Sequence, residues 1–148
     1  MFKRILVATD RSPLSEMAVT KAIELSLLSG AELRVFTVVP VEQFSLLEDT
    51  PVHLQKVQVE AYRQSVAAAQ ALLDPAKSAA VAKGVRNVET VVKGSNQIAE
   101  SIIEFAKNEE CDLIVMASHG RRGVARLLMG SETLHVLTHS HTLVLVVR

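Results

Sequence analysis

The sequence predicts an α/β fold: one open, five-stranded parallel sheet with helices on both faces, in the strand order 3-2-1-4-5. Three observations predict it. Short apolar bursts alternate with helix-like segments four times before a last burst closes the chain. The bursts are apolar at nearly every position, as strands covered on both faces must be. The two halves also look alike, each with a strand, a polar turn, a helix and another strand.

The elements follow in order. Residues 4–8 form the first burst, ended by Thr9-Asp10. Residues 13–29 have helical spacing, with Ala18, Ala22, Ile23 and Leu25 to Leu27 on one face. Ser12 suits the N-cap, Pro13 suits the first turn and Gly30 suits the stop. Residues 32–39 read as a strand ended by Pro40, and 41–52 as a loop of weak character. From His53 to Lys83 the Ala- and Gln-rich composition favours helix. Asp74-Pro75 is expected to break or kink it, because proline disfavours helix at the residue before it. Residues 87–92 alternate like a strand, and Gly94-Ser95 leads into a helix carrying Ile98, Ile102, Ile103, Phe105 and Ala106. Residues 112–117 form a doubly apolar strand, a helix is expected near 129–139, and 142–147 form the last strand.

Bulk properties narrow the function. A chain of 148 residues, 49% hydrophobic, suits a single domain over 1–148 with a sizeable core. The 16 basic and 16 acidic side chains cancel, so general adhesion to nucleic acid or acidic membrane is not expected and an anion site must be local. Cys111 is the lone cysteine, which fits a reducing compartment. The apolar stretch after the basic start is too short for a signal peptide, and no run reaches membrane-spanning length. The expectation is a soluble cytoplasmic protein.

In such Rossmann-like sheets, ligands bind beyond the carboxyl ends of the strands, where the winding reverses. Here the reversal falls between the first and fourth strands. Their ends carry Asp10 and the run Ala117-Ser118-His119-Gly120, with Val38 nearby on the second strand. The segment Met116–Ser131 follows with three glycines, three arginines and no acid. It feeds a helix at Gly130-Ser131, whose free N–H groups suit an anion. Gly130 lets the backbone come close, and Ser131 adds a hydroxyl donor. Carboxylate, apolar slot and phosphate cradle together are shaped for a nucleotide. Each part also has a plainer role: Asp10 as a turn cap, the arginines as a solvated loop, the glycines as turn residues.

These residues resemble the universal stress protein family along essentially the whole chain. Ile5-Leu-Val-Ala-Thr-Asp10-Arg-Ser looks like its opening strand and Asp turn. Family members that bind ATP carry G-x2-G-x9-G-[ST], and Ala117 to Gly120 followed by Gly130-Ser131 fits it at three of four positions, with Ala117 where the pattern has glycine. The ending TLVLVVR looks like the family's last strand. The resemblance implies an ATP-binding regulator of the stress response with at most weak ATPase activity, and a homodimer through the last strand. It implies nucleotide contacts at Ala8, Thr9, Asp10, Val38, Met116, Ala117, Ser118, His119, Gly120, Arg121, Arg122, Gly130, Ser131, Glu132 and Thr133. Mg2+ or Mn2+ would travel with the phosphates. The alternative is a dimeric adaptor that acts through protein contacts and ignores nucleotide.

No P-loop, G-x-G-x-x-G or G-x-S-x-G motif is present, and no catalytic residue is assigned. His135, His139 and His141 cluster near the end of the last helix. With no carboxylate or thiolate beside them in sequence, they read as a polar helix end, and no metal site is assigned. Cys111 reads as a small buried side chain, since a redox sensor needs a lowered pKa. His119 suits a phosphate contact or a solvated loop position.

Overall fold

The computed structural model describes residues 1–41, 51–120 and 129–148. Nine elements alternate along them: β1 (Arg4–Ala8), α1 (Pro13–Ser29), β2 (Glu32–Val39), α2 (Val52–Ala82), β3 (Val88–Gly94), α3 (Ile98–Asn108), β4 (Leu113–Ala117), α4 (Ser131–His139) and β5 (Leu143–Val147). The strands form one parallel sheet in the order β3-β2-β1-β4-β5. Val7 stands level with Val35 on one side and Val115 on the other. All three are fully buried, which is why the central strands read as continuous apolar runs.

Successive strand residues point to opposite faces, so the sheet has two cores. On one face, Ile5, Val7, Leu33, Val35 and Val115 pack with Ala18, Ala22 and Ile23 of α1 and with Leu73 and Ala80 of α2. On the other, Leu6, Phe36, Ile114 and Met116 pack with Ala99, Ile102 and Ala106 of α3 and with Val136 of α4.

The ends of α1 follow their sequence signals. Ser12 is extended at the N-cap, and its hydroxyl accepts from the Ser15 amide at 3.3 Å. Gly30 closes the helix at φ 73, a left-handed conformation that glycine adopts without a Cβ penalty. The buried face, however, runs through Ser15, Ala18, Val19, Ala22, Ile23 and Ser26. The 3.6-residue period carries Ser26 inward and Leu27 outward, so Leu27 is not on the core face as expected.

At Asp74-Pro75 the expected break does not occur: α2 runs through the pair, which leaves the kinked form of that expectation. Pro75 leaves the Ala71 carbonyl without its helical donor. Ala71 and Pro75 both face solvent, where water can serve that carbonyl, while Leu73 and Ala76 hold the opposite side on the core. Tertiary packing thus overrides the local proline signal. β1 and β2 keep the expected bounds, and the ends of α2, β3, β4, α4 and β5 shift by at most two residues, the usual range at fraying ends. The loop expected at 41–52 falls mostly on residues 42–50, outside the described ones.

Candidate functional site

The turn from β1 into α1 is built from hydroxyls. The Arg11 amide donates to Thr9 Oγ1 at 2.9 Å, and the Ser12 amide donates to Asp10 Oδ1 at 2.9 Å. Ser15 Oγ donates to the Ser12 carbonyl at 2.9 Å and lies 2.9 Å from Thr9 Oγ1. A serine hydroxyl has one proton, so Thr9 supplies the proton of the Thr9–Ser15 pair. Arg11 adopts φ 64 at the apex, held there by these bonds on either side. Asp10 therefore does cap its turn through Oδ1. Its other oxygen, Oδ2, faces Gly120, where an added Cβ would run into it.

That contact joins the two loops on either side of the winding reversal. The β4 end is fixed from three directions. The Ser118 amide donates to the Val147 carbonyl at 2.7 Å, the Gly130 amide donates to the Ser118 carbonyl at 2.6 Å, and Thr133 Oγ1 donates to the Ala117 carbonyl at 2.7 Å. A Cβ on Gly130 would lie 3.3 Å from both His119 Cα and the Ser118 oxygen, so glycine is what lets α4 start this close to β4. Ser118 Oγ and His119 Nδ1 are 3.2 Å apart and share a proton in a manner set by the imidazole tautomer.

Between these loops, at the carboxyl ends of the strands, lies a cleft of about 140 Å³. Of the residues expected in the site, Ala8, Thr9, Asp10, Val38, Met116, Ala117, His119, Gly120, Glu132 and Thr133 line it. Ser118, Gly130 and Ser131 do not: Ser118 is buried, and Gly130 packs on the β4 end. Arg121 and Arg122, like Arg126, lie outside the described residues. Thr37, expected beside Val38 at the end of the second strand, lines the cleft too, and it also takes Ser15, Phe36, Ile98 and Ile102, which the sequence did not place there. Ile98 and Ile102 sit one helical turn apart, so their spacing carried the signal, but α3 had no stated link to the strand ends.

Asp10, His119 and Glu132 are the ionisable side chains among the described lining residues. Glu132 Oε2 accepts from the Ala99 amide at 2.9 Å, so the first turn of α4 caps α3.

Away from the cleft, the histidines have a carboxylate neighbour that the sequence did not reveal. His135 Nε2 lies 3.1 Å from Oε1 of Glu100 on α3, and the His135 and His139 rings are 4.2 Å apart. Among the described residues, no group of three or more His, Cys, Asp or Glu side chains could hold a metal ion. Cys111 is buried, and burial pushes its thiol up to about 11, the reverse of what a redox sensor needs. No helix of the described residues is long and apolar enough to cross a membrane.

Comparison with known proteins agrees with this architecture. The model of the universal stress protein family matches residues 1–148. A universal stress protein of Methanocaldococcus jannaschii, MJ0531, is 31% identical over 150 residues, covering 100% of this chain and 83% of its own. The solved universal stress protein UspA from Lactobacillus plantarum superposes with a TM-score of 0.84 at 25% identity, covering 99% of this chain and 97% of its own. A universal stress protein solved in complex with cAMP has a TM-score of 0.72 at 24% identity, covering 99% and 97%. The parallel order β3-β2-β1-β4-β5 is thus shared with solved members, and the chain belongs to the universal stress protein family.

Proposed function

We propose that this protein is an adenine-nucleotide-binding regulator of the stress response, with ATP as the ligand and any hydrolysis slow. One observation carries the reading: the Asp10 carboxylate, the apolar wall of Val38, Ile98 and Ile102, the β4 end at Ala117 to Gly120 and the first turn of α4 at Glu132 and Thr133 meet in one cleft at the winding reversal. In this reading Asp10 accepts from a base amino group or a ribose hydroxyl. The start of α4 supplies N–H groups and a positive dipole end for phosphate. The cAMP bound by a relative of the same fold supports the ligand class. Asp10 and Glu132 are the carboxylates lining the cleft among the described residues, so Mg2+ or Mn2+ would be carried chiefly by the phosphates. Among the described residues, no nucleophile paired with a general base lines the cleft, which fits binding rather than turnover.

The same reading includes a homodimer through β5 in the cytoplasm. β5 ends the described sheet as an outer strand, with Leu143 and Leu145 exposed, and such an edge is a template for pairing. The lone, buried Cys111 fits a reducing compartment.

The test is calorimetric titration of the purified protein with ATP and magnesium, after chromatography for co-purified nucleotide. Saturable binding is expected. Gly130→Asp, which sets a negative charge at the start of α4, is expected to weaken ATP at least tenfold. Gly130→Ala is the steric control, because any Cβ there meets the Ser118 oxygen. No binding by a folded dimer would move the chain to the adaptor class.

A further inference from the structure

Glu132 holds a position that invites a second question about the cleft, one that rests on the nucleotide reading. It lies in the first turn of α4, whose N-cap, Gly130, provides no side-chain cap. Its carboxylate reaches the Ala99 amide of α3, whose own N-cap, Gln97, provides no side-chain cap either. One acidic side chain therefore stands between two helix N-termini and answers the donors of the one it does not belong to. The α3 turn that it holds carries Ile98 and, one turn on, Ile102, the apolar wall of the cleft.

A phosphate group at the start of α4 would arrive beside this negative charge. The helix dipole attracts it, and Glu132, in that same first turn, opposes it. Adenosine, which carries no charge, meets only the positioning effect on the α3 wall. We propose that Glu132 is a specificity-determining residue of the cleft: its charge limits how strongly each added phosphate is favoured, and its hydrogen bond to Ala99 keeps the wall in place. The two roles are separable. Glu132→Gln retains an oxygen that accepts from the Ala99 amide and removes the charge. Glu132→Ala removes both.

The experiment titrates wild type, Glu132→Gln and Glu132→Ala with adenosine, AMP and ATP at low salt, each protein first checked for an unchanged melting profile. The quantity read is the ratio of ATP affinity to adenosine affinity. Glu132→Gln is expected to raise that ratio about fivefold, the scale of one like-charge contact at an exposed position, with AMP between the two. Raising the salt to about 0.5 M should shrink the gain. A ratio unchanged in Glu132→Gln overturns the proposal. So does a pattern in which Glu132→Ala weakens all three ligands equally while Glu132→Gln matches wild type, since that leaves positioning alone. If adenosine, AMP and ATP bind none of the three proteins, the nucleotide reading itself fails, and this inference goes with it.

Discussion

The two ends of the sheet solve opposite problems. At the amino end, charges close on one another. Arg34 is 4% exposed and forms ion pairs with Glu32 at 3.0 Å, Glu89 at 3.4 Å and Glu109 at 3.9 Å. Arg4 adds a hydrogen bond to Glu32 at 2.8 Å, and Asp112 accepts from the amides of Lys3 and Arg4. Sheet register builds this end, because Arg4 stands level with Glu32 and Arg34 level with Glu89. At the carboxyl end, short hydroxyls and glycine close approaches hold the loops, and a concave space remains between them. Paired charges fill a sheet end; hydroxyls and glycines shape one and leave room. Stability and binding should therefore respond to different residues.

The largest test removes the centre of the filled end. Arg34→Met keeps much of the side-chain volume but leaves Glu32, Glu89 and Glu109 facing one another. It is expected to cost about 2 kcal/mol in urea unfolding, below the roughly 3–5 kcal/mol of a fully buried pair because the glutamate partners are partly exposed. The refolded fraction should bind nucleotide as wild type does. Equal loss of binding would show that the two ends are not independent.

Gly120→Ala tests the open end. The added Cβ would meet Asp10 Oδ2 and force the carboxylate aside. About tenfold weaker ATP binding is expected, with a change in unfolding free energy below about 1 kcal/mol. Unaltered affinity would mean that the Asp10–Gly120 approach does not matter to the ligand.

The smallest effect concerns acid. A side-chain hydrogen bond from Asn87, and then one from Arg4, hold Glu32 below the ordinary glutamate value of 4.5. A carboxylate depressed in the folded state contributes stability that is complete above its unfolded pKa and is lost as pH falls through its folded pKa. Glu32→Gln should thus melt slightly lower than wild type at pH 7, and the gap should close in the acid range below 4.5. A gap that stays constant with pH would assign the loss to packing.

Much of this fold was legible because its signals are local. Ser12 and Gly30 mark α1, and the apolar bursts mark the strands wherever both faces are covered. Asp10, Ala117 and Gly120 could be placed at the cleft because strand ends and the family pattern fall at fixed places in the chain. What escaped depends on neighbours far away in sequence. The passage of α2 through Pro75 is decided by core contacts of Leu73 and Ala76, not by the Asp-Pro pair. Ile98 and Ile102 reach the cleft from α3, which packs on the sheet through Ala99, Ile102 and Ala106 and is tied to α4 by Glu132, and the Glu100–His135 pair crosses the same interface. Ser15 lines the cleft only because the turn before it folds back through Thr9.

The hydroxyl chain of the β1–α1 turn has a kinetic and entropic side. Thr9, Ser12 and Ser15 already bond one another and the backbone around Asp10, so folding alone sets the shape of that rim. A ligand reaching it meets groups whose freedom was surrendered beforehand, and association there requires little ordering of the protein. On this rim, capture should be governed by encounter and by how long contacts last, not by waiting for the turn to form.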